Sequence, residues 1–239
     1  MVHQAGAVHI PQEICSTMSL IYKFLPADIA LKVIETQQLR VSLLHQVNDI
    51  YDCQPRIIPS VNDPSQTEDE WTDFVSKTNQ EGFGLLCFAD TYKSPLLWGH
   101  YASCSTGLAL GFDPNCLKWD SKMEVDYKQE RPKVQWPGEN VNITPEDLEI
   151  ITRGCFGVKS KEWEYEKEVR YIVPLRDCLP TGGMYFVNYE IAALKQVLIG
   201  NRSSISPHYL NNLIRYHFPN SSIEIRPAKL HASLYEIVI

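Results

Sequence analysis

The chain has 239 residues, of which 44% are hydrophobic and 21% are charged, and these proportions are typical of a globular protein. Its formal net charge of −7 argues against non-specific binding of nucleic acid, because such binding needs a basic surface that displaces counterions. The cysteines are odd in number and none forms a C-x-x-C pair, which argues against a zinc site and against a disulfide framework. No segment approaches the roughly 18 apolar residues of a membrane span, and no secretory signal is visible. We therefore expect a cytoplasmic protein with no metal and no membrane partner.

Hydrophobic periodicity predicts strands and helices in irregular alternation. The predicted strands are Ser19–Phe24, Leu39–Leu43, Phe83–Ala89, Gly107–Asp113, Met123–Tyr127, Glu166–Leu175, Met184–Asn188, Leu194–Ile199, Ile223–Arg226 and Leu234–Ile239. The predicted helices begin at Pro26 and at Pro145, behind Thr144 as N-cap, and cover Glu68–Thr78, Pro95–Ser103 and Ser206–His217. This order, without a doubly wound βαβ repeat, indicates an α+β fold with a mainly antiparallel or mixed sheet.

Two polar, proline-containing segments, Arg56–Asp69 and Gln129–Pro145, interrupt this pattern and are predicted to be surface loops. The parts that flank each loop have too few strands to form a sheet by themselves. We therefore expect one domain over residues 1–239, with an N-terminal extension over 1–18 and the core over 20–239.

The strand predicted to begin at Glu166 has an alternating charge pattern. Because successive side chains of a strand point to opposite faces, Glu166, Glu168, Arg170 and Ile172 share one face. The apolar residues Val169, Tyr171 and Val173 share the other. Two carboxylates at this spacing lie about 7 Å apart. They can bind sugar hydroxyls or stabilise a cation that develops during a reaction. The alternative is a solvated face of alternating charge.

A short predicted helix contains Trp98, His100 and Tyr101. A histidine beside a tyrosine, next to a buried strand, is a candidate ligand-binding pair, and the alternative is a histidine with a structural role. A cysteine nucleophile paired with His100, either Cys87 or Cys104, is disfavoured because neither cysteine lies in a recognisable nucleophile turn.

Asn48 and Asp49 follow the second predicted strand. Side chains of this kind favour turns because they hydrogen-bond to the nearby backbone. The segment is therefore either a capped turn or a source of polar groups for a site.

Taken in order, these segments resemble the motifs of DUF2971, a bacterial and phage family of unknown function. The matching segments are Tyr22-Lys23-Phe24, Asn48-Asp49-Ile50-Tyr51-Asp52, Cys87-Phe88-Ala89, Leu97-Trp98-Gly99-His100-Tyr101-Ala102 with Gly107 to Phe112, Trp163 to Arg170, and Val197-Leu198-Ile199-Gly200. Ile50 and Tyr51 replace a Pro-Phe pair, and Asp52 replaces a glutamate, so the turn motif keeps its acidic residue. The resemblance covers about Leu20 to Ile239.

The segment from Glu166 to Pro174, followed by Met184 to Val187, also resembles the Glu-x-Glu strand pair of ADP-ribosyltransferases. This second resemblance implies a split, mainly antiparallel sheet with surrounding helices and a cleft that holds NAD as the substrate. Glu168 would be the catalytic glutamate and Glu166 its helper. The substrate-binding residues would be Tyr22, Lys23, Arg40, Ser42, Asn48, Asp49, Trp98, His100, Tyr101 and Arg170.

Within that set the resemblance implies separate roles. Lys23 would replace the Arg or His of the first strand, and Tyr101 or Trp98 would stack on nicotinamide. The pyrophosphate or the adenosine ribose would be held by Lys23, Arg40 or His100.

The resemblance implies an ADP-ribosyltransferase or NAD glycohydrolase, acting as a toxin or as an antiviral defence effector. The acceptor macromolecule and a regulatory protein partner are left open. Two alternatives remain: a non-catalytic module that senses a nucleotide or binds a phage component, and a hydrolase of another class that uses His100 with Glu166 or Asp49.

Overall fold

The computed structural model describes residues 19–58, 71–73, 76, 82–119, 121–135 and 144–239. The α-helices are α1 (Ala27–Thr36), α2 (Pro95–Tyr101), α3 (Pro145–Phe156) and α4 (Pro207–His217). The β-strands are β1 (Ile21–Leu25), β2 (Gln38–Val41), β3 (Arg56–Ile58), β4 (Phe83–Ala89), β5 (Leu108–Phe112), β6 (Ser121–Glu124), β7 (Asp126–Lys128), β8 (Lys133–Gln135), β9 (Val158–Ser160), β10 (Glu168–Pro174), β11 (Leu179–Thr181), β12 (Met184–Asn188), β13 (Leu194–Ile199), β14 (Glu224–Pro227), β15 (Lys229–Leu230) and β16 (Ile237–Val238).

The predicted N-terminal extension, most of the predicted helix Glu68–Thr78 and parts of both predicted loops lie outside the described residues. Residues 71–73 of that predicted helix are described, and they are helical. In the described part of the chain no helix is both long enough and apolar enough to cross a bilayer.

The main sheet has seven strands in the order β14-β13-β5-β1-β4-β10-β6. Its neighbours pair antiparallel, except for the parallel pair β13–β14, which α4 connects. A smaller antiparallel sheet has the order β11-β12-β2, and an isolated bridge between Ser42 and Leu85 ties the end of β2 to β4. The predicted α+β class with a mainly antiparallel, mixed sheet is confirmed.

The main sheet opens between β1 and β4. These two strands share the single register pair Tyr22–Ala89, whereas β1 and β5 pair along all of β1. Nearer the start of β4, the edge that β1 leaves free pairs with Ser42. The Ser42 N–H donates to the Leu85 carbonyl at 2.9 Å, and the Ser42 carbonyl accepts the Leu85 N–H at 2.8 Å. A gap therefore lies between the first and fourth strands, in the middle of the sheet.

Helices cover both faces of the sheet. On one face, buried residues of α1 and α4 pack with Val169, Tyr171 and Val173 of β10. On the other face, α2 packs on Tyr22 and Phe24 at one end, and residues of α3 pack at the other end in a separate cluster. The space between α2 and α3, beside the gap in the sheet, is where the polar residues of the site collect.

The helix ends follow local sequence. The Thr144 hydroxyl accepts the backbone N–H of Asp147 at 3.1 Å and caps α3 as predicted, and Ser206 caps α4 by accepting from Tyr209 at 3.1 Å. Both helices have proline at their first position, where its missing N–H costs no helical hydrogen bond.

Two predicted strands and one alternative interpretation need correction. Glu166 does not lie on a strand: it ends a 3-10 helix, Lys161–Glu166, and Lys167 then takes a left-handed conformation with φ 43° before β10 begins at Glu168. The alternative interpretation of Glu168 and Arg170 as part of a solvated strand face is also wrong, because β10 lies between β4 and β6 and Arg170 is fully buried. The strand predicted at Met123–Tyr127 is two strands, β6 and β7, that break at the buried residue Val125 and join different sheets.

Candidate functional site

A cavity of about 430 Å³ occupies the gap between β1 and β4. Its walls come from those two strands, the loop that follows β2, the end of α2, and the segment from β9 to the start of β10. This volume lies within the range of small-molecule sites. The walls are mainly apolar, and charged side chains converge on one side.

Arg170 is the centre of a buried charge cluster behind that side. Its Nε and Nη2 donate to Oε1 and Oε2 of Glu168 at 2.7 and 2.9 Å. Its Nη1 and Nη2 donate to the two carboxylate oxygens of Asp52 at 2.9 and 2.5 Å, and Nη1 also reaches the Phe156 carbonyl at 2.9 Å. The planar guanidinium thus fixes two carboxylates at once, in the bidentate geometry that favours arginine over lysine.

Lys159 of β9 brings a third carboxylate to this cluster. Its ammonium donates to Glu166 at 2.5 Å and to Glu168 at 3.2 Å, and it lies 3.7 Å from Asp52. All four side chains are at least nine-tenths buried. Two basic groups therefore face three acidic groups, so the cluster has an excess of negative charge when every group is ionised.

Tyr101 connects α2 to the cluster. Its hydroxyl donates to Oε1 of Glu166, and the Asn48 side-chain amide donates to the same hydroxyl. The chain Asn48–Tyr101–Glu166–Lys159 therefore runs along the cavity wall and links three separate parts of the sequence.

The two glutamates are held in different electrostatic states. Burial raises the pKa of Glu166, and the nearby Lys159 and Tyr101 offset this only in part. Burial acts in the same direction on Glu168, but Arg170 and Lys159 outweigh it and hold the pKa of that carboxyl well below its usual value. Glu168 is therefore an ionised carboxylate at neutral pH, while Glu166 takes up a proton more readily.

The cavity also has two basic residues, Lys23 and His100, that form no ion pair with its carboxylates among the described residues. The Lys23 ammonium donates to the Cys87 carbonyl at 2.7 Å, across the gap in the sheet, and lies 5.7 Å from the centre of the Phe88 ring. His100 is exposed at the rim, with its ring centre 5.9 Å from that of Tyr165. Acidic and basic groups thus line the same cavity.

Most of the predicted site residues meet in this cavity. Those that line it are Tyr22, Lys23, Ser42, Asn48, His100, Tyr101, Glu166 and Glu168. Arg170 lies behind the wall and holds Glu168 and Asp52.

Three predicted site residues lie elsewhere. Trp98 is buried in the core against Phe24 with its indole N–H on the Tyr92 carbonyl at 2.7 Å, so it cannot stack on a ligand. The exposed Arg40 side chain donates to Gln46 at 3.0 Å and does not line the cavity. Asp49 accepts the Tyr51 backbone N–H at 2.9 Å, which is the capped turn considered as the alternative.

Sequence reasoning missed Lys159 and left Asp52 out of the site. Lys159 lies in a three-residue strand whose parallel pairing with β7 has no local signal. Asp52 was visible as the acidic residue that ends the turn motif, but nothing in its neighbourhood indicated that Arg170, 118 positions away, would bind it.

The geometry weakens the predicted alternatives that use a nucleophile or His100 as a base. Burial raises the pKa of the Cys87 thiol, which keeps it protonated. Among the described residues, no hydrogen bond or ion pair joins His100 to Glu166 or Asp49. Within those same residues, no group of three or more ligand-type side chains has the arrangement of a metal site.

Comparison with known proteins gives one family. No curated protein and no solved structure matches the chain. Residues 97–171 match the model of the family described as a protein of unknown function, DUF2971. That segment runs from α2 to β10 and contains Tyr101, Lys159, Glu166 and Glu168. The resemblance to DUF2971 seen in the sequence motifs is thus confirmed over residues 97–171, the part of the chain that is similar to this family.

Proposed function

We propose that the cavity between β1 and β4 binds NAD and that the protein breaks the bond between nicotinamide and ribose. The observation that carries the proposal is that Glu166 and Glu168 line the same cavity as Lys23, His100 and Tyr101. The gap in the sheet supports it, because a split, mainly antiparallel sheet is what the resemblance to ADP-ribosyltransferases implies.

The charge distribution suits this substrate. The nicotinamide of NAD is a cation, and the buried cluster presents an excess of carboxylates. The pyrophosphate is an anion, and Lys23 and His100 offer donors in the same cavity. A site of this kind binds both ends of the dinucleotide in one orientation.

In the reaction, the carbon–nitrogen bond breaks and its electron pair stays on nicotinamide, which leaves as a neutral base. The ribose then has oxocarbenium character. Glu168 is the fixed carboxylate that stabilises this positive charge, because Arg170 and Lys159 keep it ionised and hold its position. Water or another nucleophile adds to the ribose carbon and loses a proton, which Glu166 is placed to accept.

Nicotinamide release from NAD by the purified protein tests the proposal. We expect release that falls at least about 100-fold in Glu166→Gln, since general acid–base catalysis contributes on the order of 100-fold or more. Glu164→Gln is the matched control, because Glu164 lies on the same 3-10 helix but is exposed and forms an ion pair with Lys161. Circular dichroism is the check that both variants fold. Release that is absent with water and with protein or nucleic-acid acceptors, or equal in the two variants, contradicts the proposal.

A second candidate is a module that binds a nucleotide without turnover. It is favoured by the engagement of Glu168: Oε1 accepts from Arg170, and Oε2 accepts from both Arg170 and Lys159. A carboxylate held in this way can stabilise the fold without taking part in a reaction. Calorimetry that shows saturable binding of NAD, followed by recovery of intact NAD, selects this candidate.

A further inference from the structure

A second cavity, of about 590 Å³, lies next to the first, and five of its eleven lining residues are basic. Two short parallel strand pairs, β3–β8 and β7–β9, provide its walls. Lys159 lines both cavities. The second cavity is therefore distinct from the NAD site and shares one wall with it.

Besides Lys159, four basic residues line this cavity: Arg56, Lys128, Arg131 and Lys133. All are exposed, and Glu130 is the one acidic residue of the lining. Among the residues that the structure describes, none of the four basic side chains forms an ion pair. The net charge of −7 for the whole chain gives no sign of this local positive surface.

Arg56 and Lys133 are direct partners in the register of β3 and β8. Like charges at such a position repel one another and weaken the pairing of the strands. A bound anion between the two side chains removes that repulsion. The arrangement is therefore one that a ligand of negative charge stabilises.

An aromatic ring stands beside these cations. Tyr51 is 58% exposed, and the Arg131 guanidinium lies 5.9 Å from the centre of its ring. Arg131 is held in place because it donates to the carbonyls of Gln54 and Pro55 at 2.8 and 3.0 Å. An exposed ring next to fixed basic groups is the combination that stacks a nucleobase while binding its phosphate.

We propose that this basic cavity binds a nucleotidyl phosphate, with the phosphate between Arg56 and Lys133 and the base on Tyr51. The same chemistry is offered by a free mononucleotide and by a single strand of nucleic acid. The proposal goes beyond the NAD reaction, and its test does not depend on that reaction.

Fluorescence anisotropy with labelled single-stranded DNA and RNA decamers, and calorimetry with AMP and with inorganic phosphate, test the proposal on the full chain. We expect saturable binding of at least one nucleotidyl probe. If a strand contacts all four cations, its affinity falls roughly 50-fold between about 50 and 200 mM salt, because each phosphate contact contributes about −0.7 to the logarithmic slope.

Lys133→Glu is the diagnostic variant, because it places a carboxylate opposite Arg56 and so preserves the pairing of β3 with β8. We expect it to weaken binding about tenfold. Lys32→Glu, on the exposed face of α1, makes the same change of charge away from the cavity and is expected to leave the affinity unchanged. Tyr51→Ala is expected to weaken nucleotide binding but not phosphate binding.

Binding of decamers assigns the site to a nucleic-acid strand, and binding of AMP alone assigns it to a free nucleotide. Either result supports the proposal when Lys133→Glu reduces the affinity for the probe and Lys32→Glu does not. No saturable binding of any nucleotidyl probe, or an equal loss in the two variants, overturns it. Because NAD is absent from these assays, failure here is distinct from failure to release nicotinamide.

Discussion

Replacing Arg170 by methionine removes the guanidinium that joins Asp52 to Glu168 and keeps a side chain that can fill part of the space. The structure offers a matched control in the same sheet. Arg226 of β14 also follows a glutamate by two positions and donates to it at 2.7 Å, but that pair is about half exposed. The two variants thus compare one Glu-x-Arg pair in the core with another in solvent.

The two variants are expected to lose different amounts of stability, because one substitution leaves buried carboxylates without their arginine and the other leaves a half-exposed carboxylate. In Arg170→Met, two buried carboxylates lose their bidentate partner, and Lys159 is the cation that still faces both of them. Removal of one partner of a buried ion pair costs about 3–5 kcal/mol, which is a large part of the roughly 5–15 kcal/mol that stabilises a domain. In Arg226→Met, Glu224 is rehydrated, and the cost is about 0–1 kcal/mol.

Equilibrium unfolding in urea at neutral pH, followed by circular dichroism, measures both free energies of unfolding. A loss in Arg170→Met that is no larger than the loss in Arg226→Met would refute the reasoning, since it would mean that the buried cluster does not stabilise the fold. Asp52→Asn, which removes one charge and keeps the shape, provides an independent variant of the same cluster.

The pH dependence of the same variant has a defined sign. The pKa of Glu168 in the folded protein lies below its unfolded value of 4.5, so its contribution to stability is present above that pH and is lost as the pH falls towards the folded pKa. In Arg170→Met the pKa of Glu168 is no longer held down by the guanidinium. The difference in stability between the two proteins should therefore shrink below a pH of about 4.5. A difference that stays constant down to pH 3 contradicts this account.

Three further changes test other parts of the structure. Lys159→Met removes the ammonium shared by the three carboxylates and is expected to cost about 3–5 kcal/mol in urea unfolding, and equal stability would contradict the role of this ion pair. Tyr101→Phe removes the donor to Glu166 and is expected to cost about 1–2 kcal/mol and to lower nicotinamide release, as measured by thermal unfolding and by turnover. Gly107→Ala places a Cβ 2.1 Å from the Leu25 carbonyl oxygen. It is expected to lower the free energy of unfolding by about 1–3 kcal/mol, which differential scanning calorimetry can measure.

The sequence predicted the elements that have strong local patterns. Phe83–Ala89 is a strand with the predicted bounds, and α4 begins behind Ser206 and ends at His217 as expected. The short strands β3, β8 and β9 were not predicted, because each is three residues long and is defined by a partner that is distant in sequence. Periodicity cannot signal a strand of that length.

The site was predicted in part for a similar reason. Alternation on a strand predicts that Glu166 and Glu168 lie together, whereas in the structure their shared contact with Lys159 brings them together. The position of Trp98 beside His100 and Tyr101 predicts a contact with the ligand, but successive side chains of a helix point in different directions, and Trp98 points into the core. The local sequence identified candidate residues, and tertiary packing decided which of them face the cavity.

The cavity closes through contacts between distant parts of the chain, and this has a kinetic consequence. Arg170 meets Asp52 across 118 positions, Lys23 meets Cys87 across 64, and Tyr101 meets Glu166 across 65. Contacts of long sequence separation form slowly, because large loops must close before they are stabilised. A chain that is still being synthesised therefore cannot assemble this cavity before β10 has been made and docked.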